Sequence, residues 1–227
     1  ASREKAKRLV LAGKVRVNGE VVAKPATEVR SEDRIEIEER EPFVSRGGYK
    51  LQEALDRFSI DVAGKVAADL GSSTGGFTDC LLQRGACRVY AVDVGKGQLD
   101  WSLRTDSRVV VMEGVNARYL TEAELPEQAD IVTIDVSFIS LEKILPAARK
   151  LVKAGGAVVA LIKPQFEAER RQIKKGVVKD PAAHQQVVEK VRRCAADEGF
   201  TVRGVVDSPI LGPAGNKEFL LYLTAEL

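Results

Sequence analysis

The sequence predicts an α/β chain: a doubly wound, mostly parallel sheet of seven strands, preceded by a small α+β module. Three observations predict it. From about residue 44 onward, short apolar runs alternate with amphipathic stretches, the pattern of β–α–β units with parallel strands. Before Pro42 the chain is charge-dense and has no long apolar run, so two parts of different build meet there, 1–40 and 44–227. Polar residues also collect where the expected strands stop, which is the edge at which open α/β sheets bind ligands.

Bulk composition excludes several classes. At 227 residues and 44% hydrophobic, the chain can bury a core without disulfides or metals. A net charge of +2 gives no global field toward nucleic acid, so any basic surface must be local. Cys80, Cys87 and Cys194 form no C-x-x-C pair, which argues against a disulfide framework and a zinc site; small buried or half-buried thiols are expected. No metal site is expected. The longest apolar run, Ala157 to Ile162, is far short of a membrane span, and no signal peptide opens the chain, so a cytoplasmic protein is expected. A first residue Ala1, already inside a helical pattern, suggests a truncated product.

The leading module opens Ser2-Arg-Glu-Lys-Ala-Lys-Arg-Leu-Val-Leu-Ala-Gly13, a helix with Ser2 as N-cap and Gly13 past its end. Val15 to Val17 and Glu20 to Val22 flank Asn18-Gly19, the strongest short-range hairpin signal. Arg34 to Glu38 alternates with period two, as a strand does. Arg3, Lys5, Lys7, Arg8, Lys14 and Arg16 make the helix and hairpin a candidate phosphate-binding face, with a merely solvated helix surface as the alternative. These phrases, with Lys24-Pro25, resemble the S-four-like RNA-binding domain over roughly Ser2 to Ile37. The resemblance implies a further first helix, expected to be missing ahead of Ala1. Glu38 to Phe43 reads as a linker.

The larger part is read in order. Lys50 stands just before an amphipathic run with Leu51, Ala54, Leu55 and Phe58 on one face. Val66 to Leu70 is a buried strand, followed by Gly71-Ser-Ser-Thr-Gly-Gly76 and a helix from Phe77 to Arg84. Arg88 to Asp93 is the second strand, with a helical stretch around Gln98 to Arg104. Arg108 to Met112, Asp130 to Asp135 and Ala157 to Lys163 are three more strands. A helix from Pro181 to Glu198 precedes Thr201 to Val206, and Glu218 to Leu223 closes the sheet.

Asp69-Leu-Gly-Ser-Ser-Thr-Gly-Gly-Phe77 lets backbone approach a ligand and opens a helix N-terminus. It is not G-x-G-x-x-G, which weakens a nicotinamide reading. Asp93, ending the next strand, can take the two ribose hydroxyls of a nucleoside. The pair in this order fits S-adenosylmethionine better than a dinucleotide; a structural turn with a capping acid is the alternative.

Four charged residues carry the chemistry. Asp135 ends Ile131-Val-Thr-Ile-Asp135, Lys163 ends Val158-Val-Ala-Leu-Ile-Lys163, Glu218 starts the last strand, and Lys50 precedes the first amphipathic run. A lysine ending an apolar strand is costly unless it is paired or solvated. A salt bridge at the sheet edge explains one such residue; four facing one cleft need more. In order and context they resemble the Lys-Asp-Lys-Glu tetrad of FtsJ-type ribose 2′-O-methyltransferases. The whole chain resembles the hemolysin-A/TlyA family of rRNA methyltransferases, through Ser45-Arg-Gly-Gly48, Gly71-x-Ser-Thr-Gly-Gly-Phe-Thr-Asp79, Tyr90-Ala-Val-Asp-Val-Gly95, Ile134-Asp-Val-Ser-Phe-Ile-Ser-Leu141 and Ile162-Lys-Pro-Gln-Phe-Glu167.

That resemblance implies a Rossmann-like methyltransferase sheet using S-adenosyl-L-methionine, with Gly71, Gly75, Phe77, Asp93 and Asp135 at the cofactor and Asn116 near its adenine. It implies ribosomal RNA or ribosomal subunits as partner and a cytidine ribose as acceptor. A ribose hydroxyl is a poor nucleophile, so Lys163 would accept or steer its proton, Asp135 would position Lys163 and the methyl group, and Lys50 and Glu218 would orient the ribose. Arg170, Arg171, Lys174 and Lys175 follow Lys163 closely and can grip the RNA backbone, or form a solvated charge run. His184 lacks a partner in the sequence, and Trp101 can serve packing or cofactor cover.

Three rivals are weaker. A lytic protein needs a membrane-inserting element, for which the sequence offers no strong candidate. A non-catalytic ribosome-assembly scaffold has no need of two lysines at element ends. An oxidoreductase lacks both its glycine fingerprint and a His, Tyr or Cys arrangement. Oligomeric state and the target nucleotide are not legible.

Overall fold

In the computed structural model, which describes residues 3–37, 41–121 and 123–226, the chain divides into two units between Pro42 and Phe43. Ser2, the expected N-cap, lies outside the described residues, as do the side chains of Lys5 and Arg8.

The first unit is helix α1 (Arg3–Leu11) and a three-stranded antiparallel sheet of β1 (Val15–Val17), β2 (Glu20–Val21) and β3 (Ile35–Ile37), with β1 central. Gly13, at φ +67, ends α1: its N–H donates to Val10 O (3.0 Å) and that of Lys14 to Leu9 O (2.9 Å). This is the paired-bond cap that a left-handed residue permits. Asn18 (φ +52) and Gly19 (φ +86) make the two-residue turn of the hairpin, whose register pairs Val17 with Glu20. The Asn18 amide also accepts from Arg34 N–H (2.9 Å) and donates to Asp33 (2.8 Å), tying the turn to the entry of β3.

The second unit carries seven strands: β4 (Val66–Leu70), β5 (Arg88–Asp93), β6 (Val109–Glu113), β7 (Ala129–Ile134), β8 (Val152–Ile162), β9 (Phe200–Asp207) and β10 (Phe219–Ala225). Their order is β6-β5-β4-β7-β8-β10-β9, parallel except that β10 runs antiparallel to both of its neighbours. Among the described residues six α-helices accompany them: α2 (Gly47–Arg57), α3 (Gly76–Gln83), α4 (Trp101–Arg104), α5 (Leu145–Leu151), α6 (Pro164–Glu167) and α7 (Pro181–Asp197). Leu51, Leu55, Phe77 and Leu81 from α2 and α3 pack with Ala67, Val89 and Ile131 on one face of the sheet. Leu145, Leu151, Val187 and Val191 from α5 and α7 pack with Leu70, Val132 and Val158 on the other. Each face of a parallel sheet is thereby covered, which is why its strands read as apolar runs.

Several elements differ from expectation. Helix α2 begins at Gly47, so Lys50 lies within its first turn and not ahead of it. Strand β8 starts at Val152, five residues before Ala157; its pairing with β7 shifts between Ala129 and Ile131, and Gly155 adopts φ +73, so the irregular start resembles a loop in sequence. Helix α5 is not evident in the sequence because its seven residues give too few turns to establish a period. Cys87 is exposed, whereas Cys80 is buried, its thiol pushed up to about 12 by desolvation. No helix among the described residues is long and apolar enough to cross a membrane.

Candidate active site

The carboxyl ends of β4, β5, β7 and β8 lie side by side, and the polar residues noted in the sequence stand there. The turn after β4 is held tightly: Gly71 and Ser72 donate to Val92 O (2.8 and 3.0 Å), and Asp135 donates to Leu70 O (2.9 Å). Gly71 sits at φ +89, where a Cβ would lie 2.5 Å from the Asp135 carbonyl oxygen. Gly75 (φ +102) opens α3 with its Cα against Leu99 and Leu103. Both positions need glycine for conformation, and Gly71 needs it for space as well, because its neighbour is backbone. Behind the turn, Asp69 is fully buried and accepts from Thr78 Oγ1 (2.7 Å) and Thr133 Oγ1 (2.9 Å). Burial pushes its carboxyl up to about 6 against the pull of those two hydroxyls, with the charge of Asp135 adding to the rise.

Asp93 ends β5 with its carboxylate half-buried, accepting from Ser73 N–H (2.8 Å) and Gly95 N–H (2.7 Å). It borders a hollow of about 310 Å³ whose other walls include Val94, Val115, Val136, Ile139 and Asn116. Asn116 is exposed and uses its Oδ1 to cap the turn at Arg118 (3.1 Å). Gly71, Ser73, Asp135 and Ser137 border both this hollow and a second one of about 640 Å³ lined by Lys50, Phe77 and Lys163. The two are thus one cleft: an apolar slot with a carboxylate at its side, opening into a cationic chamber.

The chamber holds two lysine–carboxylate pairs. Lys50 Nζ donates to Glu218 Oε2 at 2.6 Å, joining α2 to the start of β10 with both side chains nearly buried. Lys163 Nζ lies 2.6 Å from Asp135 Oδ1, off the hydrogen-bonding direction, and donates to Ser137 Oγ at 3.0 Å. Glu218 Oε1 is buried without a hydrogen-bond partner, packed against Gly212, where a Cβ would come within 2.0 Å of it. All four residues read as the tetrad therefore occur at this cleft, with Glu218 behind Lys50. Gly71 and Phe77 line the chamber, while Gly75 serves the turn from below. No group of three or more metal-ligating side chains occurs among the described residues.

Other residues here had no role predicted from the sequence. Ser137 takes the Lys163 hydrogen bond. Glu167 accepts from Ser140 Oγ and Leu141 N–H (both 2.7 Å), anchoring the loop that carries Ser137 to α6; burial raises its carboxyl. Arg46, on the chamber wall, donates to Leu211 O at 2.6 Å. Only the phrases containing these residues were a signal. His184, expected to lack a partner, has Nε2 2.8 Å from Val178 O and its ring edge-on to Phe219. It follows α7's Pro181, and the segment ending at Val178 folds back onto it, a meeting sequence spacing does not reveal. Trp101 is 74% exposed and covers little. Arg170, Arg171, Lys174 and Lys175 are exposed in the segment after α6, and in the first unit Arg3, Lys7 and Arg16 are exposed while Lys14 is half-buried.

Comparison with known proteins adds to this geometry. The profile of the FtsJ-like methyltransferase family matches residues 43–225, and that of the S4 domain matches residues 1–35. A 16S/23S rRNA (cytidine-2′-O)-methyltransferase, TlyA of Mycobacterium tuberculosis, is 46% identical over 99% of this chain and 85% of its own length. Hemolysin A of Brachyspira hyodysenteriae is 42% identical over 97% of this chain and 93% of its own. Among solved structures, a candidate hemolysin of Streptococcus thermophilus superposes with TM-score 0.82 at 48% identity, covering 99% of this chain and 83% of that one.

Proposed function

The chain belongs to the FtsJ-like methyltransferase family, and from that premise we propose that it transfers a methyl group from S-adenosylmethionine to a ribose 2′-hydroxyl of ribosomal RNA, a cytidine ribose in particular. The observation that carries this reading is the pairing of two lysines with two carboxylates in a chamber continuous with a nucleoside-sized slot. A scaffold would have no use for lysines held nearly out of water.

The slot suits the methyl donor. Its apolar walls fit a flat base, Asp93 offers carboxylate oxygens to a ribose diol, and the glycine turn at Gly71 admits close backbone approach. When bound, S-adenosylmethionine supplies an electrophilic sulfonium methyl group. The residues of the chain do the rest. Lys163 Nζ, as the neutral amine, would take the proton that the 2′-hydroxyl gives up as its oxygen bonds to the methyl carbon, while the carbon–sulfur bond of the donor would break to leave S-adenosylhomocysteine. Asp135, 2.6 Å away, offsets the charge Lys163 gains, and Ser137 fixes the direction of the amine. Lys50, balanced by Glu218, orients the ribose oxygen and stabilises its developing negative charge. Arg170, Arg171, Lys174 and Lys175 grip the RNA backbone beside the chamber. Arg3, Lys5, Lys7, Arg8, Lys14 and Arg16 do so in the S4 unit, where phosphate contacts position the RNA and carry no sequence information.

The test is methyl transfer from labelled S-adenosylmethionine to separated, unmethylated ribosomal subunits. The expected product is RNA with an alkali-resistant linkage at one nucleotide. Lys163→Ala should lower the rate by at least about 10²-fold, the scale of a lost acid–base group, while still binding S-adenosylhomocysteine. Normal turnover in that variant would remove Lys163 from its role; no binding of the cofactor by the wild-type protein would sink the methyltransferase reading.

A further inference from the structure

Asn216 stands two residues before Glu218 and is only 2% exposed. Its Nδ2 donates to Gly176 O and Pro213 O (both 3.0 Å), and its Oδ1 accepts from Val178 N–H at 3.3 Å. Its own carbonyl accepts from Gly212 N–H at 2.8 Å. Both amide donors are used, and the amide oxygen is engaged as well.

The two segments it joins differ in character. Residues Lys174 to Val177 form a tight turn, with Lys174 and Val177 exchanging backbone hydrogen bonds (2.9 and 3.0 Å) and Lys175 and Gly176 at φ +50 and +77. Its exposed side chains are Lys174 and Lys175. Val178 is clamped from both sides, by Asn216 at its N–H and by His184 at its carbonyl. The other segment, Leu211 to Asn216, leans on the tetrad: Gly212 packs against the Glu218 carboxylate, and Leu211, Gly212 and Pro213 line the chamber beside Lys50.

We propose that Asn216 is a positioning residue that joins the lysine turn at Lys174–Val177 to the Glu218 end of the chamber, so that one side chain sets both the RNA backbone contact and the Lys50–Glu218 pair. The inference rests on the methyltransferase reading above. Only an amide of this length meets the demand, since the site needs two donors and one acceptor at fixed spacing. Aspartate keeps the shape and supplies neither donor, placing a carboxylate against two carbonyl oxygens.

The experiment compares the full chain with Asn216→Asp and Asn216→Ala. Amide hydrogen exchange is followed across the protein, S-adenosylhomocysteine affinity by calorimetry, and kcat and KM with ribosomal subunits. Exchange should rise together at 174–178 and 211–218, and cofactor affinity should stay within about twofold. The kcat should fall at least about tenfold, as expected of a misplaced reacting group. Paired Lys174→Ala and Lys175→Ala changes, which raise KM in the wild-type background, should add little once Asn216 is replaced. The proposal is overturned if only one segment loosens, if kcat is unchanged in both variants, or if the lysine and Asn216 effects multiply independently. A wild-type protein that methylates no ribosomal RNA would refute the methyl-transfer reading instead, and the exchange data would still decide whether the two segments are joined.

Discussion

Asp69 and Glu218 are both buried acids, yet only Glu218 has a cation against it. Losing the Glu218 charge strands Lys50, so Glu218→Gln should cost about 3 kcal/mol of stability, measurable as a shifted urea midpoint with unchanged slope. Asp69 behaves in the opposite sense. Its carboxyl is raised from 3.8 to about 6 in the folded state, so the folded protein holds this proton more tightly than the unfolded chain. The associated stability is complete below about pH 4 and is lost as pH rises through about 6, a change of roughly 3 kcal/mol. Asp69→Asn should flatten the stability profile across that window, read from denaturant midpoints between pH 4 and 7. At this scale the tetrad was legible because each member is a charge beside an apolar run, where burial is costly without a partner or a task. Ser137, Glu167 and Asn216 were not, because small polar and acidic residues are ordinary in loops. Their meaning depends on backbone atoms from segments far away in sequence, such as Gly176 for Asn216.

The turn between β4 and α3 is where element geometry controls the cleft. A Cβ at Gly71 would meet the carbonyl that precedes Val136, on the strand end carrying the Asp135 carboxylate, and would demand a left-handed conformation as well. Gly71→Ala should therefore lower Tm by about 5 °C and weaken S-adenosylhomocysteine binding more than tenfold, checked by thermal unfolding and calorimetry. An unchanged affinity in a folded variant would show that close backbone approach is not needed there. Strands β4, β5, β7 and the second half of β8 were readable because parallel strands buried on both faces leave unbroken apolar runs. The first half of β8 was hidden by its glycines and by a register shift, and α5 by its brevity. The N-terminus of α2 was misplaced because Gly47-Gly48 reads as a loop; Gly48 packs directly on Phe43, where a Cβ would sit 2.1 Å from the ring.

Taken whole, the molecule combines a near-neutral balance of +2 with basic clusters confined to a few segments. RNA affinity carried by such clusters should fall steeply with salt, by at least about 10²-fold between 50 and 200 mM, whereas cofactor affinity should barely move. Filter binding and calorimetry over one salt series separate the two; parallel losses would mean that the clusters do not carry the RNA. The seven-stranded order was foreseeable in its strand count and its mostly parallel sense, but the position of β10 was not, because a single sequence does not say which gap a late strand enters. It enters between β8 and β9 and brings Glu218 to Lys50, 168 residues earlier in the chain. During synthesis, then, β8 must wait with one edge unpaired until residues 219–225 emerge, an aggregation hazard for any polypeptide stalled before them. The same strand delivers Glu218, so completion of the Lys50–Glu218 pair and closure of the sheet arrive in a single late step of biogenesis.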